Sequence, residues 1–169
     1  MPKQLILFRH GKSDWEASFN RDYDRPVAER GRRAAKTMGR WLAAVDRVPD
    51  LAITSSAVRA KTTLELAAAA GQWACPTQET EELYEATVEA VLAVIHQQPD
   101  NYQSLMLVGH EPTWSNILTH LMGGGLVRMP TAAMACLGFE VDHWAKVGQG
   151  RGTLLWLLPP KLLSQLPLP

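Results

Sequence analysis

Three stretches of this chain combine groups that bind anions with groups that attack: Arg9-His10-Gly11, Ser55-Ser56 running on to Arg59, and Gly109-His110. A guanidinium binds phosphate bidentately, and a neutral imidazole nitrogen can attack phosphorus and hold the group as phosphohistidine. Two arginines and two histidines gathered on one rim therefore suit a tetrahedral dianion. The arginines act twice: they counter charge on the equatorial oxygens of the transition state, and they disfavour imidazolium, which keeps the nucleophile neutral. The expected chemistry is phosphoryl transfer in two steps, with no metal and no cofactor. His96, His120 and His143 lack ligand spacing such as HxxxH. Gly11-Lys12-Ser13 resembles the end of a P-loop, but the earlier glycine of that motif would fall at Ile6.

Such residues meet only if the elements that carry them end on a common edge. Leu5 to Phe8 is a short apolar run suited to a strand covered on both faces, and Ser104 to Val108 repeats it ahead of Gly109-His110. Leu51 to Thr54 reads as another strand. Ser55 or Ser56 is a suitable N-cap for a helix running to Ala70, with Arg59 in its first turn and Gly71 in the favoured C-terminal position. A helix from about Glu29 to Val45 carries Ala34, Ala35, Met38, Trp41, Leu42 and Val45 at helical spacing. Thr87 can cap a helix through Gln97, and Pro112 suits the start of one that carries Trp114, Ile117, Leu118, Leu121 and Met122 and stops at Gly123-Gly124-Gly125. Met134 to Val141 and Thr153 to Leu158 read as two late strands. Strand, loop and helix in alternation predict a mostly parallel sheet with helices on both faces, a three-layer α/β/α sandwich. In such a sheet His10, Arg59 and His110 all fall at strand-to-helix junctions on one edge.

The chain has 169 residues, 46% of them hydrophobic, which predicts one globular domain over residues 1–169 with a peripheral proline-rich tail, 159–169. Lys plus Arg and Asp plus Glu both number 17, so no overall basic field favours nucleic acid. Cys75 and Cys136 show no CxxC spacing, and no apolar run reaches the ~20 residues of a membrane span. A reduced, cytoplasmic protein that works as a monomer is expected.

In combination, Arg9-His10-Gly11, Ser55-Ser56-x-x-Arg59-Ala60-x-x-Thr63 and Gly109-His110 resemble the histidine phosphatase superfamily, with its phosphoglycerate mutase-like fold. Asp24-Arg25-Pro26, Glu29-Arg30-Gly31, Leu83-Tyr84-Glu85-Ala86 and Met129-Pro130-Thr131 resemble more narrowly the short SixA-type phosphohistidine phosphatases. The resemblance implies that His10 is the nucleophile, that Arg9, Arg59 and His110 bind the phosphoryl group, and that Glu85 is the proton donor. The residues themselves leave Glu85 open as a solvated loop carboxylate. Glu111 follows His110 where the family more often has asparagine. The arm after the first strand, with Lys12, Ser13, Trp15, Asp24 and Arg25, is expected to contact substrate, and Gly11 to leave the backbone room to turn away from the phosphoryl group.

The favoured substrate is phosphohistidine on a partner protein, with inorganic phosphate as product. Only residues 86–109 lie between Glu85 and His110, and one helix fills most of them, leaving little material for a lid over a small metabolite. A small phosphoester substrate, or a module that binds phosphate or phosphoprotein without turnover, is the alternative.

Overall fold

A computed structural model describes residues 2–167; Leu168 and Pro169 of the expected tail lie outside the described residues. Six strands form one sheet: β1 (Lys3–Arg9), β2 (Leu51–Ser55), β3 (Thr77–Thr80), β4 (Ser104–Gly109), β5 (Met134–Phe139) and β6 (Gly152–Leu158), in the order β3-β2-β4-β1-β5-β6. The pairings β1–β4, β2–β4 and β2–β3 are parallel, whereas β5 runs antiparallel to both β1 and β6. The sheet is thus parallel where the chemistry-bearing strands lie, and its last two strands form the antiparallel edge.

The apolar runs are continuous because both faces are covered. On one face Leu5, Leu7, Ile53 and Leu107 pack with Val91 and Ile95 of α3 (Val88–His96) and with Trp114 and Ile117 of α4 (Thr113–Met122). On the other, Ile6, Phe8, Met106 and Val108 pack with Met38 and Leu42 of α1 (Glu29–Ala44) and with Ala60 and Leu64 of α2 (Val58–Gly71). Successive side chains of a strand point to opposite faces, so each buried strand serves two cores.

Several boundaries differ from expectation for local reasons. Neither Ser55 nor Ser56 is the N-cap of α2; Ala57 holds that position, and the Ser55 hydroxyl accepts a 3.3 Å hydrogen bond from its N–H while also meeting His110. Gly71 is the last residue of α2, and Gln72 takes the left-handed position (φ 53°). The glycine is needed for close approach, since a Cβ there would sit 2.3 Å from the Gly39 carbonyl oxygen of α1. The tail is less peripheral than expected: Pro160–Leu163 forms a short helix, α5, and Leu163 is buried in the α1–α2 core. Among the described residues no helix is long and apolar enough to cross a membrane.

Candidate active site

The three stretches meet at the carboxyl edge of the parallel strands. Arg9 and Gly109 are register partners at the ends of β1 and β4, and the His10 N–H donates to the Gly109 carbonyl at 3.1 Å. The His10 carbonyl in turn accepts from the Ala132 N–H at 3.0 Å. The two imidazoles lie 5.2 Å apart between ring centroids, tilted by 53°, and both are buried.

Hydrogen bonds orient the rings differently. His10 Nδ1 is 2.7 Å from the Gly11 carbonyl oxygen. A carbonyl only accepts, so Nδ1 carries the proton and the lone pair of the neutral ring lies on Nε2. His110 uses Nε2, 2.8 Å from the Ser55 hydroxyl, and its buried Nδ1 has no partner among the described residues. Thr63 ties the first loop to α2: its hydroxyl accepts from the Gly11 N–H at 2.9 Å and donates to the Arg59 carbonyl at 2.7 Å.

Both histidines are held neutral. Burial lowers the His10 pKa to about 4, and the charges of Arg59, Arg9 and Arg25 push the same way against the Gly11 hydrogen bond. Burial lowers that of His110 to about 3, helped by His10, Arg59 and Arg25 and opposed by Asp22.

Asp22, in a single 3₁₀ turn (Asp22–Asp24), is a site residue that the sequence patterns do not reveal. Arg59 donates from Nη1 to its carbonyl at 2.7 Å and from Nη2 to its Oδ2 at 3.0 Å. Arg25 Nη1 lies 3.0 Å from Oδ1, and the Tyr84 hydroxyl donates to Oδ2 at 3.0 Å. Burial raises the Asp22 pKa, but the Tyr84 hydrogen bond and the two guanidinium groups outweigh it and hold the carboxyl below its ordinary value. Arg59 and Arg25 are 5% and 6% exposed, and buried cations need a counter-ion, which Asp22 supplies; their burial is set by the fold, so no local pattern in the sequence marks it.

The remaining sequence-predicted residues divide. Arg9 turns its head to the Met129 carbonyl at 2.8 Å, in a network where Ser115 joins Met129 to Glu111, yet its charge still reaches His10. Glu111 accepts from the Ser115 N–H and hydroxyl. Arg25 stacks on Trp15, its guanidinium carbon 3.5 Å from the ring centroid, while Asp24 pairs with Arg21 rather than with the histidines. Ser13 is buried and bridges to Val27, and Lys12 is exposed beside it. Glu85 stands apart, exposed and at φ 50°, with no hydrogen bond or ion pair among the described residues. Gly11 does not turn at positive φ; a Cβ on it would lie 2.8 Å from the Gly31 carbonyl oxygen, so it admits the first turn of α1 rather than a bend away from a phosphoryl group.

The sequence profile of the histidine phosphatase superfamily (branch 1) matches residues 5–91, a span that contains Arg9, His10 and Arg59. An uncharacterized protein of Mycobacterium tuberculosis (strain H37Rv) is 35% identical over 163 residues, covering 90% of this chain and 99% of its own length. A candidate phosphohistidine phosphatase SixA from Agrobacterium tumefaciens superposes with a TM-score of 0.81 at 30% identity, over 95% of this chain and 99% of that one. Its counterpart from Nakamurella multipartitia gives the same TM-score at 27% identity, over 95% and 97%.

Proposed function

This chain belongs to the histidine phosphatase superfamily, and from that premise we propose that it hydrolyses phosphohistidine on a partner protein, with His10 as the nucleophile. The observation that carries the reading is the 2.7 Å contact of His10 Nδ1 with the Gly11 carbonyl, which leaves the lone pair on Nε2 of a neutral ring. In the first step Nε2 bonds to phosphorus as the P–N bond of the substrate breaks, and the substrate ring, protonated from solvent on its other nitrogen, departs as neutral imidazole. In the second, water attacks the phosphorylated His10, and inorganic phosphate leaves. Arg59 and Arg9 counter the charge of the phosphoryl oxygens, so the transfer needs no metal. His110 contributes from its unpartnered Nδ1 when the Ser55 hydroxyl donates to Nε2. Asp22 and Tyr84 position Arg59 and Arg25; Arg25, whose charge reaches His10, and the Trp15 ring stacked on it contact the substrate.

The leaving group supports phosphohistidine over an ester. An alkoxide departs only with a well-placed acid, whereas a phosphohistidine ring protonated from solvent on its other nitrogen leaves as neutral imidazole, whose conjugate acid has a pKa of ~6.5. Glu85, exposed and unpartnered, suits the second case. The unpaired thiols of Cys75 and Cys136 support a reducing, cytoplasmic setting, and the reading takes residues 1–169 as one domain acting as a monomer.

Rapid quenching with a radiolabelled phosphohistidine protein tests the proposal. Acid-labile, alkali-stable label should map to His10 and be absent in His10→Ala, and Glu85→Gln should turn over phosphohistidine as wild type does. Turnover with no labelled His10 at any time, or with the label on another residue, would overturn it.

A further inference from the structure

A trough of about 720 Å³ opens beside the catalytic edge, between the first turns of α1 and the α5 segment. Because β6 runs parallel to β1, its carboxyl end and α5 lie on the same edge as His10. The near end of the trough is lined by Lys12, next to the Gly11 that holds the His10 ring, and by Thr131, next to the Ala132 that holds the His10 carbonyl. Four cations line it, Lys12, Arg30, Arg33 and Lys161, with no carboxylate among the described residues of the lining. Among the described residues none of the four makes an ion pair, although the chain as a whole carries equal numbers of acids and bases. The rest of the lining is largely apolar, with Ala34, Pro130, Pro160 and Leu162, the last 57% exposed.

We propose that this trough docks an acidic segment of the phosphorylated partner protein, in which carboxylates alternate with apolar side chains, and so delivers the phosphohistidine to His10. The cations stand on three separate segments: Arg30 and Arg33 one turn apart on α1, Lys161 on α5, and Lys12 on the loop after β1. A compact anion site usually gathers its donors on one loop or helix end, whereas these are spread over three segments whose lining they share with apolar side chains. An extended chain with spaced carboxylates satisfies both the charge and the apolar surface. The docking rests on the protein-substrate reading of the active site, but the trough is testable without turnover.

The test uses the full chain and the charge-reversed variant Arg30→Glu/Arg33→Glu/Lys161→Glu, all at exposed positions and none in the catalytic machinery. A fluorescein-labelled, unphosphorylated peptide of alternating Glu and Leu should bind wild type in a salt-sensitive manner, and the variant at least about tenfold more weakly. The variant should also lose about tenfold in kcat/KM towards a phosphohistidine protein with an acidic flank, yet hydrolyse free phosphohistidine as wild type does. A milder change, Leu162→Ser, should weaken the peptide without altering salt sensitivity. Equal peptide binding by wild type and variant, equal losses on the protein and the free amino acid, or preferential binding of a small polyanion such as tripolyphosphate would overturn the docking site. If wild type binds the peptide and the variant does not, while neither hydrolyses phosphohistidine protein, the trough stands and the proposed substrate falls.

Discussion

At the end of β1, His10 is anchored through Nδ1 to a backbone carbonyl at 2.7 Å; at the end of β4, its neighbour in register, His110 is anchored through Nε2 to the Ser55 hydroxyl at 2.8 Å. The two junctions share an apolar strand, a histidine and a glycine, and both rings are buried and neutral. Their chemistry differs because their partners differ. A carbonyl accepts and nothing else, so His10 has one tautomer and a committed lone pair. A hydroxyl can donate or accept, so His110 can become a donor where a phosphoryl oxygen needs one. The glycines diverge as well: Gly11 backs onto Gly31 and the start of α1, Gly109 onto the ring of Trp114.

The largest effect tests the difference of role. His10→Asn should lose at least about 10³-fold in kcat and form no phosphoenzyme, since it removes the proposed nucleophile. His110→Asn should lose about 10²-fold, as a removed transition-state donor does, and still place the phosphoryl group on His10. Peptide mapping of quenched enzyme decides it; label on His110 in the His10 variant would reverse the assignment.

The junctions were legible from sequence because an apolar run buried on both faces must be a central strand, and the loop after such a strand in a parallel sheet lies on the catalytic edge. That logic placed His10, Arg59 and His110 without any knowledge of side-chain contacts. It could not place Asp22, whose importance comes from two buried guanidinium groups contributed by other parts of the chain, nor decide which way Ser55 would face once β4 brought His110 beside it. Leu163 was missed for a similar reason: a four-residue helix that starts on the second proline of a pair carries no periodic signal, and only the α1–α2 core gives it something to cover. Glu85 shows the converse. Its sequence context matches a motif, but the left-handed backbone at that residue leaves the carboxylate in solvent.

An intermediate effect sharpens the contrast between the glycines. A Cβ at Gly109 would lie 2.2 Å from the fully buried Trp114 ring, and one at Gly11 would lie 2.8 Å from the Gly31 carbonyl. Gly109→Ala should cost about 2–3 kcal/mol in urea unfolding, more than Gly11→Ala, because overpacking a rigid core ring forces wider rearrangement. Adding Trp114→Leu should recover part of the loss at Gly109 and none at Gly11, a coupling that a double-mutant cycle reads directly. Equal costs at the two sites, or no recovery, would show that the glycines do the same job.

The smallest effect concerns the charge state of the two rings in acid. Burial is the main cause of both depressed pKa values, and the neighbouring guanidinium groups push the same way, so both rings should stay neutral until well below the ordinary ~6.5. Both folded values lie under the ordinary ~6.5, so below that pH the unfolded chain binds more protons than the native one, and stability falls as pH drops from about 6.5 towards 4. Above 6.5 the two histidines contribute no pH dependence. His10→Asn should make the acid loss of stability shallower, because one of the two buried rings no longer differs between states. Arg59→Met should raise the His10 midpoint, since it removes a nearby positive charge while leaving the ring buried. Imidazole NMR titration of wild type and the Arg59 variant measures this; an unmoved His10 midpoint would mean that Arg59 does not set the charge state of His10 and that burial alone keeps it neutral.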